Sequence, residues 1–381
     1  MGQPKTKVVL VTYPDTFRHD EARSLVESAT SPTMHSYEIA KIFTQRYLNR
    51  SKYGVGSGKA EEIKQFVRIS ESERLIVDER LTSKQIHNLE KLVEVPVIDR
   101  ERLILDIFNS RATTTEAKLQ IQLAEIKYEM PRVRENARFT PGSGERPGKG
   151  GMGEYSVDVK FRDLKRRVSY INEKLNNAKR KRDLYQQQRI KNEMPIVSLL
   201  GYTSSGKTTL FNLLTNEHKE TSNSLFTTLS TTTRSLRSSS KENGTILLTD
   251  TIGFISRLPT YMIEAFKSTL EESLAADVIL LLLDCSEDKI EDIKIKHSSC
   301  WEILNELRVN PTRILVLLTK SDNVSNDKID AVVKDLNIPN PIAISCKTGY
   351  GIDKLNRMLI NSVLKPGVAD LNCRMGDGQT K

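Results

Sequence analysis

The stretch Pro195 to Leu214 reads P-I-V-S-L-L-G-Y-T-S-S-G-K-T-T-L-F-N-L-L, and its reading decides the fold of the second half of the chain. Pro195 to Leu200 is an apolar, strand-sized run. Directly after it, Gly201 to Thr208 matches G-x-x-x-x-G-K-[ST], and an apolar helical pattern follows. The order strand, glycine loop, helix is what phosphate binding needs. Glycines let the backbone amides of Gly201, Tyr202, Thr203, Ser204, Ser205 and Gly206 wrap a phosphate. The helix opening at Lys207, Thr208 and Thr209 adds its positive end, Lys207 reaches the β- and γ-phosphates, and Thr208 ligates Mg2+.

A phosphate loop alone does not separate ATP from GTP, but three stretches further along do. I-L-L-T-D-T-I-G (Ile246 to Gly253) is a strand ending in D-x-x-G, built from Asp250, Thr251, Ile252 and Gly253. There Asp250 can hold Mg2+ through water and the Gly253 amide can meet the γ-phosphate. R-I-L-V-L-L-T-K-S-D (Arg313 to Asp322) is a strand ending in Thr319, Lys320 and Asp322. Asp322 can accept from the N1 and N2 donors of guanine, which adenine lacks, while Lys320 lies along the ring. I-A-I-S-C-K (Ile342 to Lys347) is a strand whose end, Ser345, Cys346 and Lys347, can present an amide to guanine O6. Four such motifs in order, each at a strand's carboxyl end, point to GTP and against an ATP-dependent enzyme.

Between the first two motifs lies L-F-T-T-L-S-T-T-T-R (Leu225 to Arg234). This hydroxyl-rich segment is expected to close over the γ-phosphate and Mg2+ as a switch, through Phe226, Thr227, Thr228 and Leu229. Thr228 is the expected metal ligand, with Thr227 and Thr231 to Thr233 as alternatives. No catalytic base is evident. Phe254 follows D-x-x-G where many GTPases carry the Gln that orients water, and its ring cannot do so. Gly253 and Lys207 are left as the transition-state stabilisers, and slow intrinsic hydrolysis is expected. Arg257 reads as a structural arginine.

Working toward the N-terminus, Thr113 to Glu116 (T-T-T-E) fits a capping box. Leu119, Leu123, Ile126 and Met130 then recur at helical spacing up to an expected end at Pro131. Val157, Phe161, Leu164, Val168, Ile171, Leu175 and Ala178 form a second stripe. Two such stripes flanking a loop predict an antiparallel helical hairpin. From Lys160 to Lys191 the second helix carries twelve Lys and Arg, faced by only five carboxylates between Asp158 and Glu193. Most of the net charge of +9 sits there, which favours a phosphate backbone as partner over a merely solvated face. The tip between the helices, T-P-G-S-G-E-R-P-G-K-G-G-M-G-E-Y, holds six glycines and two prolines. By composition it is a linker. Between two striped helices it becomes a mobile tip able to fit irregular RNA, with Arg138, Arg146 and Lys149 to meet phosphates.

The first hundred residues alternate strands (Lys7 to Tyr13, Arg74 to Asp78, Val95 to Asp99) with helical spacing at Glu38 to Leu48 and Ser83 to Leu92, a small α/β domain with a parallel sheet. Y-G-V-G-S-G-K (Tyr53 to Lys59) imitates a phosphate loop, but Tyr53 stands where the first glycine belongs and no apolar strand leads in, so a structural role is expected. The 381 residues thus divide into an N-terminal α/β domain (1–111), a hairpin (112–194, tip 138–156), a phosphate-loop domain with a mainly parallel sheet (195–365) and a flexible tail (366–381). No window nears the roughly 18 apolar residues of a membrane span, and the start lacks signal-peptide and myristoylation patterns. Four scattered cysteines suggest neither zinc nor disulfides, so a cytoplasmic, reducing setting is expected.

The motifs G-Y-T-S-S-G-K-T-T-L-F-N, L-F-T-T-L-S-T-T-T-R, D-T-I-G-F-I-S-R-L-P and A-F-K-S-T-L-E-E-S-L-A-A-D together resemble the HflX family of ribosome-associated GTPases. Y-G-V-G-S-G-K-A-E-E-I-K, V-I-D-R-E-R-L-I-L-D-I-F and E-A-K-L-Q-I-Q-L-A-E-I-K-Y-E-M-P-R extend the resemblance to that family's nucleotide-binding-like N-terminal domain and first helical arm. The resemblance implies binding to the large ribosomal subunit and its RNA, hydrolysis of GTP, in some members the splitting or rescue of ribosomes, and a hairpin tip directed at RNA near the peptidyl-transferase region. A monomer without membrane partners is expected. The alternative is a GTP-gated RNA-binding, assembly or storage factor that needs binding but not hydrolysis. Three departures stand out: Gly151-Met152-Gly153-Glu154 replaces the usual G-P-G-E, Thr319 stands where Asn is commoner, and only a short tail follows the last motif.

Overall fold

The computed structural model describes residues 5–29, 36–136, 152–191, 194–217, 225–226, 231–236 and 245–364. They form two compact units, divided between Asn177 and Ala178.

The first unit is built on a four-stranded, all-parallel sheet of order β2-β1-β3-β4: β1 (Lys5–Thr12), β2 (Ser36–Thr44), β3 (Arg74–Val77) and β4 (Val97–Asp99). Helices α1 (Thr16–Ser28), α2 (Ser57–Ser70), α3 (Ser83–Val93) and α4 (Arg100–Arg111) connect or follow the strands. Val9, Val11, Leu75 and Val77 are buried against Ile63, Val67 and Leu89. The near-continuous apolar strands reflect a sheet covered on both faces.

Glu38 to Leu48, expected as a helix, is for the most part strand β2, paired with β1 from Ser36 to Thr44. The misreading has a local cause. A register shift lies between Val8, opposite Ile39, and Val9, opposite Lys41, so Ala40 is an extra residue that breaks the two-residue alternation and leaves Ile39, Ile42 and Phe43 at helix-like spacing. Y-G-V-G-S-G-K takes a structural place, with Gly56 as the N-cap of α2.

Chain reversal from β2 back past β1 to β3 makes the carboxyl ends of β1 and β3 the crevice where sheets of this kind take ligands. Here the protein's own ions fill it. The Arg100 guanidinium, 4% exposed, donates to Asp78 Oδ1 at 2.5 Å and to Glu21 Oε2 at 2.8 Å, and Thr12 Oγ1 donates to Asp78 Oδ2 at 3.1 Å.

Helix α5 (Thr115–Asn136) corrects two further expectations. Its cap is Thr114, whose hydroxyl accepts from Ala117 N at 3.2 Å, so the T-T-T-E box is shifted by one residue and loses its Glu. Pro131 does not end the helix, which continues for five residues. A proline forfeits one helical hydrogen bond, and tertiary contacts of the next residue offset that loss. Arg132 donates to Leu81 O and Asp99 Oδ2, each at 2.8 Å, and stacks 3.6 Å from the Tyr128 ring centroid, while Tyr128 OH donates to Asp99 Oδ1 at 3.0 Å. Burial raises the Asp99 carboxyl, which Arg132 and the amides of Arg102 and Leu81 counter.

Helix α6 (Met152–Lys191) packs on α5 as the stripes require: Leu123 and Ile126 meet Leu164, Ile171 and Leu175, with Leu119, Met130 and Val168 at the margin. Of the expected tip, 138–156, residues 152–156 already belong to α6, while residues 138–151, and with them Arg138, Arg146 and Lys149, lie outside the described residues, as does the tail.

The second unit holds a six-stranded sheet of order β10-β9-β8-β5-β7-β6: β5 (Ile196–Gly201), β6 (Thr232–Ser235), β7 (Leu247–Asp250), β8 (Val278–Asp284), β9 (Ile314–Thr319) and β10 (Ile342–Ala343). All pairs are parallel except β6 with β7. Helices α7 (Lys207–Thr215), α8 (Thr260–Leu274), α9 (Ile290–Glu306), α10 (Asn326–Leu336) and α11 (Ile352–Leu364) complete it. Its core joins Val197, Leu199, Phe211, Leu280, Leu317 and Leu355. Among the described residues no helix is long and apolar enough to cross a membrane.

Candidate functional site

The carboxyl ends of β5, β7, β9 and β10 bring the four motifs to one edge of the sheet. Gly201 ends β5 at φ +149°, and a Cβ there would lie 2.4 Å from Leu282 O on the paired strand, so only glycine lets the chain leave the sheet at this point. The loop then turns through Ser204, at φ +61°, into α7. Lys207 is folded back under the loop and donates to Tyr202 O at 2.6 Å and Gly201 O at 3.1 Å. Burial lowers its ammonium to about 8, with the nearby Asp250 opposing that shift.

Thr208 Oγ1 donates to Asp250 Oδ2 at 3.2 Å, so a hydroxyl at the start of α7 and a buried carboxylate at the end of β7 converge on one point. That pair suits a hard, water-retaining cation such as Mg2+, which takes one or two protein oxygens and finds the rest on phosphate and water. Among the described residues no group of three or more His, Cys, Asp or Glu could hold a metal ion.

The D-x-x-G segment runs back along the phosphate loop. Thr251 Oγ1 donates to Leu199 O at 2.6 Å. Phe254 N donates to Gly201 O at 3.0 Å and Thr203 N donates to Phe254 O at 2.8 Å, a two-bond ladder between loop and segment. The Phe254 ring is 2% exposed, in the core rather than at the reaction centre. A Cβ on Gly253 would sit 2.9 Å from Thr203 Cγ2 and 3.1 Å from Lys207 Nζ, so the absence of a side chain permits the contact. Tyr202 adds a tie that the motif did not reveal: its hydroxyl accepts from Ser256 N at 2.8 Å. Ile252 is buried and Arg257 half-buried.

At the other end, Thr319 is 2% exposed and its hydroxyl donates to Ser205 O at 2.9 Å, with Leu283 O at 3.3 Å. One side chain of β9 therefore clamps the strand that leads to Asp322 onto the phosphate loop. Lys320 reaches Asp284 Oδ2 at 2.5 Å, and Asp284 Oδ1 accepts from Ser286 N and Oγ. Asp284 escaped the sequence reading, although an acid closing the run V-I-L-L-L-L-D was its signal. A hydrogen bond from Ser345 holds the Asp322 carboxyl below its usual range, helped by Lys347 and Lys320. The loop is set by Ser345 N donating to Tyr350 O and Thr348 N donating to Ser345 Oγ. Burial raises the Cys346 thiol to about 11, which leaves it protonated.

Strand β10 is only two residues long, and the rest of I-A-I-S-C-K is loop. Phe226 is buried at φ +57°. Thr227, Thr228 and Leu229 lie outside the described residues. Of the alternative ligands, Thr232 and Thr233 belong to β6, where Thr233 Oγ1 meets Thr249 Oγ1 at 2.9 Å.

Three family models match successive stretches of the chain: a GTP-binding GTPase N-terminal domain over residues 18–109, a GTP-binding GTPase middle region over 111–189, and a 50S ribosome-binding GTPase domain over 196–320. The GTPase HflX of Methanocaldococcus jannaschii is 40% identical over 343 residues, 90% of this chain and 82% of that protein. The chain belongs to the HflX family of GTPases. The HflX of Thermococcus kodakarensis is 37% identical over 85% of this chain and 75% of its own length. A solved structure of SsGBP in complex with GDP shares 27% identity and superposes with a TM-score of 0.52 over 94% of this chain and 98% of that one. The chain is accordingly an α/β GTPase with a phosphate-loop domain.

Proposed function

We propose that the protein grips the large ribosomal subunit in its GTP state and resets that grip by hydrolysis. The observation that carries this reading is the match of residues 196–320 to a 50S ribosome-binding GTPase domain, joined in sequence to a helix whose basic side chains are exposed. Lys160, Arg162, Lys165, Arg166, Lys174 and Lys181 all face solvent, as contacts to an RNA backbone require. SsGBP, which shares the fold, was solved with GDP, which favours a guanine nucleotide in the matching cleft.

In this reading Lys207 leaves the carbonyls of Gly201 and Tyr202 for the β- and γ-phosphates, and the amides from Ser204 to Thr209 hold the phosphate chain. Thr208 and Asp250, the latter through water, would hold Mg2+, with Thr228 from the switch. Once bound there, the cation would supply positive charge against the charge that develops on the phosphates. Asp322 reads the N1 and N2 donors of guanine, Lys320 covers the ring, and Ser345 to Lys347 face O6. The Phe254 backbone, tied to Gly201 and Thr203, sets where Gly253 meets the γ-phosphate. Water positioning is left to switch backbone that the ribosome orders, so the partner is expected to speed turnover. The same cycle would serve splitting or rescue of stalled ribosomes.

Sedimentation with separated ribosomal subunits tests the proposal. Co-migration with the large subunit is expected with a non-hydrolysable GTP analogue and not with GDP. Absence of co-migration in both states would end the ribosome reading and leave the GTPase standing. Subunit separation that proceeds fully with the analogue would make hydrolysis a release step only.

A further inference from the structure

The loop that leaves β2 in the first unit carries a feature that nucleotide hydrolysis does not use. From Ile39 to Ala60 the chain has five Lys and Arg and no Asp or Glu. Within it, Tyr47 is 52% exposed, with the Arg46 guanidinium 5.4 Å and the Arg50 guanidinium 5.0 Å from its ring centroid. Arg46, Arg50 and Lys52 are themselves exposed.

A solvated loop does not need to be stiff, and this one is braced at both ends. Leu48 and Val55 anchor it in the core. The Gln45 side chain donates to Tyr47 O at 2.8 Å and accepts from Gly56 N at 3.1 Å. From α3, Gln85 Nε2 donates to Ser51 O at 2.9 Å and Asn88 Nδ2 to Lys52 O at 3.0 Å. The result is a half-exposed aromatic ring on a braced backbone, with two exposed guanidinium groups over it that can turn aside to phosphates as a base takes their place. Aromatic rings flanked by basic side chains bind unpaired bases by stacking while the cations neutralise the adjoining phosphates; a duplex, with its bases already stacked, cannot use the ring.

We propose that the Gln45–Gly56 loop is a binding platform for an unpaired RNA strand, in which Tyr47 stacks on a base and Arg46, Arg50 and Lys52 meet phosphates. The platform is distinct from the nucleotide cleft and from α6, and it does not depend on the ribosomal reading.

The test uses the full chain, a fluorescent ten-nucleotide oligouridine and an RNA duplex of equal length, with anisotropy read against salt. Tyr47→Ala is expected to weaken single-strand binding about tenfold, the scale of one lost base stack. Duplex binding should be unchanged, and Tyr47→Trp should retain single-strand affinity, which excludes misfolding as the cause. Replacing Arg46, Arg50 and Lys52 together by Gln should lower the slope of log affinity against log salt by about 2, at about 0.7 per neutralised phosphate on a single strand. A 4-thiouridine strand should crosslink within residues 45–53. Unchanged binding by both variants, equal loss for strand and duplex, or crosslinks confined to α6 would overturn the proposal.

Discussion

Replacing Thr319 by Val removes one hydroxyl and almost no volume, and it strikes the bond that joins the two ends of the nucleotide cleft. The Thr319 hydroxyl donates to Ser205 O at 2.9 Å from a site that is 2% exposed. Leaving a buried acceptor without its donor costs about 1–3 kcal/mol, more than the roughly 1 kcal/mol net worth of an ordinary bond. Part of that cost falls on the fold, and a loss of about 1.5 kcal/mol in urea unfolding of the second unit is expected. The rest falls on binding. Without the clamp, the phosphate loop and the strand carrying Asp322 must be brought into register by the ligand, so GDP and GTP should both bind about five- to tenfold more weakly, each 1.4 kcal/mol being a factor of ten. Dissociation of a fluorescent GDP analogue in stopped flow measures it. Preference for guanosine over xanthosine nucleotides should be unchanged, because the substitution leaves the Asp322 carboxylate itself in place. Thr319→Asn should restore affinity, since an amide has two N–H groups for Ser205 O and Leu283 O where the hydroxyl shares one. Lost stability with unchanged GDP dissociation would refute the clamp and make Thr319 a core residue only.

Lys207 gives a pH prediction. With its ammonium lowered to about 8 by burial, and phosphate favouring the charged form, GDP affinity should be full below pH 8 and fall as pH rises above it. Calorimetry at pH 8.5 in buffers of different ionisation enthalpy should show proton uptake on binding; affinity flat to pH 9.5 would contradict it. Phe254→Gln should not create an efficient GTPase, because position 254 is 2% exposed and its backbone is held by Gly201 and Thr203. Single-turnover hydrolysis should rise less than twofold, with about 2 kcal/mol of stability lost to the buried amide; a tenfold rise would show that the side chain reaches the reaction centre. Arg100→Met leaves Glu21 and Asp78 buried without their cation and should lower the stability of the first unit by about 3–5 kcal/mol in denaturant unfolding. A loss under about 1 kcal/mol would mean that water or another group compensates.

Much of this molecule is local in origin and so is written along the chain. The order strand, G-x-x-x-x-G-K-T, helix specifies its geometry because each part depends on neighbours a few residues away: Gly201 must be glycine to clear Leu282, and Lys207 must open α7. The stripes that pack α5 on α6 were legible for the same reason, since helical periodicity places Leu123 and Ile126 on one face regardless of what covers it. What failed was local signal overruled by distant contacts. Helical spacing at Ile39, Ile42 and Phe43 yielded to pairing with β1 across a bulge, and Pro131 stays within α5 where Arg132 is tied to Leu81 and Asp99. The clamp from Thr319 to Ser205 spans 114 residues, the tie from Tyr202 to Ser256 spans 54, and the Arg100 pair with Glu21 spans 79. Sequence alone determined which chemistry these strand ends could carry. Only the tertiary structure decided which hydroxyl, carboxylate and guanidinium meet, because a hydrogen bond needs its partners within about 3 Å and no periodicity along a chain encodes that distance.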